Sequence, residues 1–348
     1  MIIAERNISL SSEPFIIAEM SGNHNQSLDR ALQIVEAAAE SGAHGLKLQT
    51  YTADTMTLNV DRDDFYIRSK DNPWTGRHLY ELYQEAHTPW EWHKPIFERA
   101  RELGLIVFST PFDETAVDFL EELQAPCYKI ASFENADIPL IRKVASTGKP
   151  MIISTGMASI AELDEPVRSA RENGCSDIAL LKCTSTYPAT PENTNIRTIP
   201  HMRELFDCEV GLSDHTLGLG VAVASVSLGA TVIEKHFTLN RADGGVDAAF
   251  SMEPDEMKAL VKETKRAWRA LGNVKYGPTE SEKKSLKFRR TLYIAEDMKS
   301  GEILSKEKLR SIRPGYGLPS IYYDIFAGKK IVKNVKSGTP ANWDLIIS

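Results

Sequence analysis

The chain has 348 residues, 42% hydrophobic and 26% charged, with a formal net charge of −7. That balance is globular and long enough for a sizeable core, which excludes a disordered or fibrous chain. The acidic charge without a basic block argues against nucleic acid, and no run approaches the ~20 apolar residues of a membrane span.

The first residues, Met1–Arg6, lack the basic-then-apolar pattern of a secretory leader. Cys127, Cys175, Cys183 and Cys208 form no C-x-x-C pair and read as small buried hydrophobes in a reducing cytoplasm. Eight short apolar runs follow in chain order: Phe15–Met20, Gly45–Thr50, Leu105–Thr110, Cys127–Ser132, Met151–Gly156, Ile178–Thr184, Cys208–His215 and Val232–Thr238. Between them the pattern is helical. After Ser27, residues Leu28, Leu32, Val35 and Ala39 make one apolar stripe that stops at Gly42. Ser159 with Glu162 predicts a capping box, and Pro254 sits where a first helical turn begins. Eight strand–helix units without a dinucleotide-type glycine fingerprint predict an α/β fold, a closed (β/α)8 TIM barrel, over residues 1–271.

Two stretches break the rhythm. Residues 51–88 are too long for a simple loop and carry Tyr51, Phe65, Tyr66, Trp74, Tyr80 and Tyr83. They follow the second strand, so they read either as a wall over the catalytic face or as a packing surface. Residues 272–287 read as a linker, and 288–348, with runs Thr291–Ala295, Gly328–Val335 and Trp343–Ile347, as a small, mostly β domain.

Barrel chemistry projects from the C-terminal ends of strands, and this sequence turns polar there. Asn23, His24 and Asn25 follow the first strand; Lys47 and Gln49 share one face of the second. Thr110 ends the third. Lys129 and Ser132, with Glu134, belong to the fourth, and Ser154 to the fifth. Tyr187 follows the sixth; Ser213, Asp214 and His215 end the seventh; Glu234, Lys235 and His236 end the eighth. Two mid-strand lysines among serines suit an anion bearing phosphate and carboxylate. Such lysines need an anionic partner to stay charged. His215 and His236, on neighbouring strand ends, suit two imidazole ligands on one divalent ion. Structural histidines are the competing reading.

These residues carry a resemblance. Ala18-Glu19…Asn23-His24, Leu46-Lys47-Leu48-Gln49-Thr50, Phe108-Ser109-Thr110-Pro111-Phe112-Asp113, Tyr128-Lys129-Ile130-Ala131-Ser132, Gly211-Leu212-Ser213-Asp214-His215-Thr216 and Ile233-Glu234-Lys235-His236-Phe237-Thr238 resemble the sialic acid synthase family. The tail, with Arg313-Pro314-Gly315, is similar to the antifreeze-like (SAF) domain that ends its members. The resemblance implies condensation of phosphoenolpyruvate with an amino-sugar aldehyde. It implies Mn²⁺, or Mg²⁺ or Co²⁺, on His215 and His236. Lys47, Thr110, Lys129, Ser132, Ser154 and Ser213 would bind phosphoenolpyruvate; Asn23, Asn25, Gln49, Tyr187, Asp247 and Arg313 would face the sugar; and Glu134 would handle water or protons. It also implies a domain-swapped homodimer. Departures at Asn25-Gln26, Ser185 and Ala248, with Met20–Leu28, Lys47–Thr57 and Thr88–His93, resemble the pseudaminic acid synthase branch. That branch implies a 2,4-diacetamido-2,4,6-trideoxy-L-altrose acceptor, in place of N-acetylmannosamine or the legionaminate precursor. Rival readings are a Schiff-base aldolase on Lys47, Lys129 or Lys235, and a non-catalytic sugar-binding protein built on the tail.

Overall fold

The computed structural model describes residues 1–68 and 74–346. Residues 69–73 of the 51–88 insertion, and the last two residues, including the end of the Trp343–Ile347 run, lie outside the described residues. The chain divides into two compact units, Met1–Gly272 and Asn273–Ser348.

The first unit opens with a short antiparallel hairpin, β1 (Ile2–Ile3) and β2 (Arg6–Asn7). Eight parallel strands follow: β3 (Phe15–Glu19), β4 (Gly45–Thr50), β5 (Ile106–Pro111), β6 (Tyr128–Ile130), β7 (Met151–Ser154), β8 (Ile178–Cys183), β9 (Glu209–Ser213) and β10 (Val232–His236). They close in sequence order, with β10 pairing back onto β3. The fold is the expected TIM barrel.

Side chains alternate across a strand, and here the alternation sorts the residues into two cores. Ile16, Ala18, Leu46 and Leu48 pack outward against helix residues in one large cluster. Phe15, Ile17, Phe108, Cys127, Ile152, Ala179, Leu181 and Val232 pack together with Ile3 and Ile8 of the hairpin in a second. The lower lumen is therefore a filled apolar floor, closed by the hairpin. One step further along each strand the same inward parity reaches Glu19, Lys47, Thr110, Lys129, Ser154, Cys183, Ser213 and Glu234.

The strands are joined by α1 (Leu28–Glu40), the insertion with α2 (Ala53–Met56) and α3 (Leu79–Ala86), then α4 (Trp90–Glu102), α5 (Glu114–Glu122), α6 (Ile138–Ala145), α7 (Ile160–Glu172), α8 (Thr198–Phe206) and α9 (Gly220–Ser227); α10 (Pro254–Leu271) follows the last strand. Their starts obey local chemistry. Ser27 caps α1 by accepting from the Arg30 amide, and Ala31, Ile34, Val35 and Ala38 form its buried face. Ser159 and Glu162 form the reciprocal capping box of α7. Such a cap contributes about 1 kcal/mol.

In the second unit, α11 (Glu280–Lys283) lies within the stretch that reads as a linker, ahead of β11 (Thr291–Ile294), which pairs antiparallel with β12 (Leu309–Ile312). The short α12 (Tyr323–Phe326) follows. The Gly328–Val335 run does not become a strand. It pairs one residue at a time, Ile303 with Lys330 and Met298 with Val335, and Trp343–Leu345 is a single 3-10 turn. The unit is held instead by a core of Leu292, Ile294, Met298, Leu304, Leu309, Phe326, Ile331, Ala341 and Leu345.

Candidate active site

The polar upper lumen is organised around two lysines. Lys47 and Lys129 are 4% and 2% exposed. Lys47 Nζ forms an ion pair with Glu19, its register neighbour on β3, and donates to Thr110 Oγ1 at 3.1 Å. Lys129 Nζ donates to Ser154 Oγ at 2.6 Å and to the carbonyl of Ile130 at 3.1 Å. Glu234 Oε1 lies 3.8 Å from both ammonium groups and accepts from Ser213 Oγ at 3.3 Å. Taking an ammonium out of water costs several kcal/mol unless a counter-charge replaces it. Glu19 and Glu234 supply that counter-charge. Sequence reasoning required such a partner without naming it, although both glutamates lie on the inward parity of their strands.

The electrostatics follow from this packing. Burial pulls Lys47 down, but Glu19 and Glu234 outweigh it and hold Lys47 above its ordinary value. For Lys129 burial wins and lowers it. Burial raises Glu19 to about 7 against the pull of Lys47, while Lys129 and Lys47 overcome burial at Glu234 and lower it. Glu134, in the loop after β6, is raised to about 7 by burial, and its Oε2 has no partner. A carboxyl poised there exchanges protons at neutral pH. Gln49 Nε2 bridges Glu19 Oε1 at 3.0 Å and Ser21 Oγ at 3.1 Å, and Ser21 donates to Asp247. Ser132 sits where the β7 exit must approach closely: Gly156 has φ +44°, and a Cβ there would come within 2.5 Å of Ser132 Cβ.

His215 and His236 stand at the exits of β9 and β10 with ring centroids 5.5 Å apart. His215 Nδ1 lies 2.9 Å from the Thr184 carbonyl. A carbonyl only accepts, so a proton is on Nδ1. Burial pulls His215 down, but Cys183, Thr184 and Glu234 outweigh it and raise it; in its neutral form the ring leaves the Nε2 lone pair for a ligand. His236 Nδ1 is buried without a hydrogen-bond partner, 3.9 Å from Asp247 Oδ2. Burial, reinforced by His215, lowers His236 well below its ordinary value and keeps it neutral. These donors fit a divalent ion on two imidazoles. Among the described residues no group of three His, Cys, Asp or Glu side chains is gathered to hold one.

Aromatic rings surround the pair. Tyr187 lies 4.4 Å from His215 and 5.1 Å from Phe250, which is 5.0 Å from His236. Trp74 of the insertion reaches Tyr187 at 5.9 Å and donates Nε1–H to the Val246 carbonyl at 2.9 Å. Cys183, read from sequence as a buried hydrophobe, also faces this cluster, 4.0 Å from His215 Nδ1. Burial raises its thiol, but His215, then Ser132 and Lys129, more than reverse that and lower it to about 6.

Other residues singled out in the sequence have surroundings of their own. Asn23 is fully buried and donates to the Phe237 carbonyl and Ser251 Oγ, tying the β3 and β10 exits together. Asn25 is exposed and donates to Gly244 O. His24 is buried against Trp92 and Thr88. Lys235 points out of the lumen, onto Asp214. Arg313 is exposed and follows β12 in the second unit.

The sequence matches the NeuB family over residues 34–276 and the SAF domain over 289–347. The chain belongs to the NeuB family. A pseudaminic acid synthase of Campylobacter jejuni is 44% identical over 332 residues, covering 95% of this chain and 96% of that one. One from Helicobacter pylori is 43% identical, covering 95% and 97%. Among solved structures, the N-acetylneuraminic acid synthetase of Leptospira borgpetersenii, in complex with citrate, superposes with a TM-score of 0.70 at 29% identity, over 80% of this chain and 92% of that one.

Proposed function

We propose that this enzyme condenses phosphoenolpyruvate with the open-chain aldehyde of 2,4-diacetamido-2,4,6-trideoxy-L-altrose and water, giving pseudaminic acid and phosphate. The observation that carries the reading is the pair of buried lysines with their serine and threonine partners. Lys47 with Thr110, and Lys129 with Ser154, present charged donors to an anion at the C-terminal end of the barrel. Ser132 and Ser213 extend that set. The phosphoenolpyruvate methylene bonds to the aldehyde carbon, whose oxygen becomes a hydroxyl. Positive charge develops at phosphoenolpyruvate C2, water adds there and loses a proton, and the C2–O bond to phosphate breaks to leave a ketone. Fixing the anion at both ends holds the methylene against the aldehyde, and proximity of this kind contributes several kcal/mol. Glu134, raised to about 7, takes the water proton.

His215 and His236 would hold a divalent ion, Mn²⁺ in preference to Mg²⁺ or Co²⁺. That ion supplies Lewis-acid polarisation of the aldehyde. Asp247, Gln49, Tyr187, Asn25 and Arg313 are the candidates for sugar contact; Asn23, fully buried with its amide on Phe237 and Ser251, supports the strand exits instead. The wall of Trp74, Tyr187 and Phe250 suits the apolar C6 methyl and acetamido methyls of this acceptor. The relatives that are pseudaminic acid synthases support the same choice of sugar.

The reading includes a homodimer in which one chain's second unit closes the other's barrel. Two features support it. Phe133, Met157, Ile160 and Leu217, at the strand exits, are 63%, 63%, 58% and 63% exposed. Residues 1–272 carry 26 Lys and Arg against 40 Asp and Glu, whereas 273–348 carry 15 against 8, so the units are oppositely charged. A cytoplasmic setting fits the four unpaired cysteines, and among the described residues no helix is long and apolar enough to cross a membrane. Phosphate release from phosphoenolpyruvate, dependent on the diacetamido sugar, tests the reading.

A further inference from the structure

Asp214 and Lys235 are 2% and 1% exposed and form an ion pair at 2.9 Å on the outer side of the barrel wall. Lys235 Nζ also donates to the carbonyls of Thr216 at 2.6 Å and Gly218 at 3.0 Å. The other oxygen of Asp214 accepts from the Thr216 amide at 2.9 Å and from its hydroxyl at 2.7 Å. All three donors of the ammonium are thus used, and both carboxylate oxygens are engaged.

The location gives this network its meaning. The β9–β10 register runs Ile233 with Leu212 and Glu234 with Ser213. One more bond, from the Asp214 amide to the Glu234 carbonyl at 2.9 Å, ends the ladder. His215 and His236 both lie beyond that end. His236 is still paired with Glu19 of β3, and the His215 carbonyl accepts from the Ala189 amide, but β9 and β10 have no further backbone bond to each other there. Asp214 immediately precedes His215, and Thr216 immediately follows it. Lys235 immediately precedes His236. The ion pair takes over as a clasp where the ladder stops, and it encloses one histidine and anchors the other.

A buried ion pair is a costly way to glue two strands. Apolar residues of similar volume often stabilise as well or better. Its directional bonds, by contrast, fix angles and distances that apolar packing leaves loose. Groups behind metal ligands fix the ligands' geometry. Here the clasp bonds to the chain on either side of His215 and next to His236, and so acts on the backbone that carries the rings.

We infer that the Asp214–Lys235 clasp is a positioning device that sets the spacing and orientation of His215 and His236 for a divalent cation. The inference rests on the two-histidine metal reading. Lys235 has no catalytic contact with substrate; it acts through the two histidines.

The test is Mn²⁺ binding to the full-length protein by calorimetry, with phosphoenolpyruvate binding to the metal-free protein as the control. Lys235→Met should weaken Mn²⁺ by 10–100-fold, the usual loss on removing a partner behind a metal ligand, and leave phosphoenolpyruvate affinity within about twofold. Lys235→Arg should recover most of the Mn²⁺ affinity. The double variant Asp214→Asn/Lys235→Met leaves no unpaired buried charge. It covers the case in which the single variant does not fold, and the same loss is expected of it. Unchanged Mn²⁺ affinity in either folded variant overturns the inference, as does an equal loss of both ligands, which marks the clasp as general fold support. Failure of the wild-type protein to bind Mn²⁺ at all is a separate result that removes the metal reading itself.

Discussion

Glu234 stands 3.8 Å from Lys129, Oε1 to Nζ, and the same oxygen is 3.8 Å from Lys47. One carboxylate therefore faces two buried lysines, with Glu19 as a second counter-charge at Lys47, where a substrate anion is to be received. Lys129→Ala should weaken phosphoenolpyruvate binding by about 10- to 100-fold, since a hydrogen bond to a charged group is worth roughly 1.5–3 kcal/mol. Calorimetry on the folded variant checks it. An unchanged affinity reduces Lys129 to a structural residue.

The metal reading makes its own demand on His236, whose Nδ1 is buried without a partner. Chelation should abolish turnover and Mn²⁺ should restore it, and His236→Ala should lose activity by several orders of magnitude. Full turnover in excess chelator, with no metal found by elemental analysis, would remove the ion from the mechanism.

Buried histidines give the fold a pH limit. His24 and His93 are each lowered to about 4, chiefly by burial, and are neutral in the folded chain at pH 7. The ordinary value is about 6.5, so the unfolded chain binds more protons between pH 6.5 and 4. Stability is complete above that window and falls as pH drops through it, by up to roughly 3 kcal/mol for each ring. The urea midpoint should be lower at pH 5 than at pH 7.5, and His93→Gln should flatten the difference. A midpoint unchanged between the two pH values contradicts this.

Trp74, in the 51–88 insertion, reaches the histidine cluster through Tyr187. Trp74→Ala should lower kcat/KM for the diacetamido trideoxy sugar by about tenfold, as loss of an apolar contact does, with KM for phosphoenolpyruvate unchanged. Trp74→Phe should retain most of the activity. Equal kcat/KM for N-acetylmannosamine and the trideoxy sugar in the wild-type enzyme would refute the choice of acceptor.

Arg313 tests the dimer. An inactive Lys129→Ala chain mixed with an inactive Arg313→Ala chain should regain activity after subunit exchange, because a mixed dimer has one intact barrel served by one intact arginine. No recovery in any mixture means that the second unit does not act across the dimer.

The barrel was legible because two periodicities, 2 and 3.6, recur eight times and because Ser27, Ser159 and Pro254 mark helix starts. Lys47 and Lys129 stood out as charges inside apolar runs. Their counter-ions were harder to see: Glu19 ends a strand and Glu234 sits beside Lys235, so either reads as an ordinary flank until the inward parity is known. The floor of the barrel was hidden because Ile3 lies in a strand of two residues and Ile8 just after another, too short for any pattern. Cys183 looked like its apolar neighbours, and only closure of the barrel sets it beside His215. In the tail, single-residue bridges leave no alternation to read.

The reaction itself is tested most directly by the fate of the bridging oxygen of phosphoenolpyruvate. The purified enzyme is given phosphoenolpyruvate labelled with ¹⁸O between C2 and phosphorus, together with Mn²⁺ and 2,4-diacetamido-2,4,6-trideoxy-L-altrose. The expected result is one labelled phosphate for each pseudaminic acid formed, because the C2–O bond breaks. No phosphate release with this sugar, or release of unlabelled phosphate with the ¹⁸O retained in the sugar acid, would contradict it.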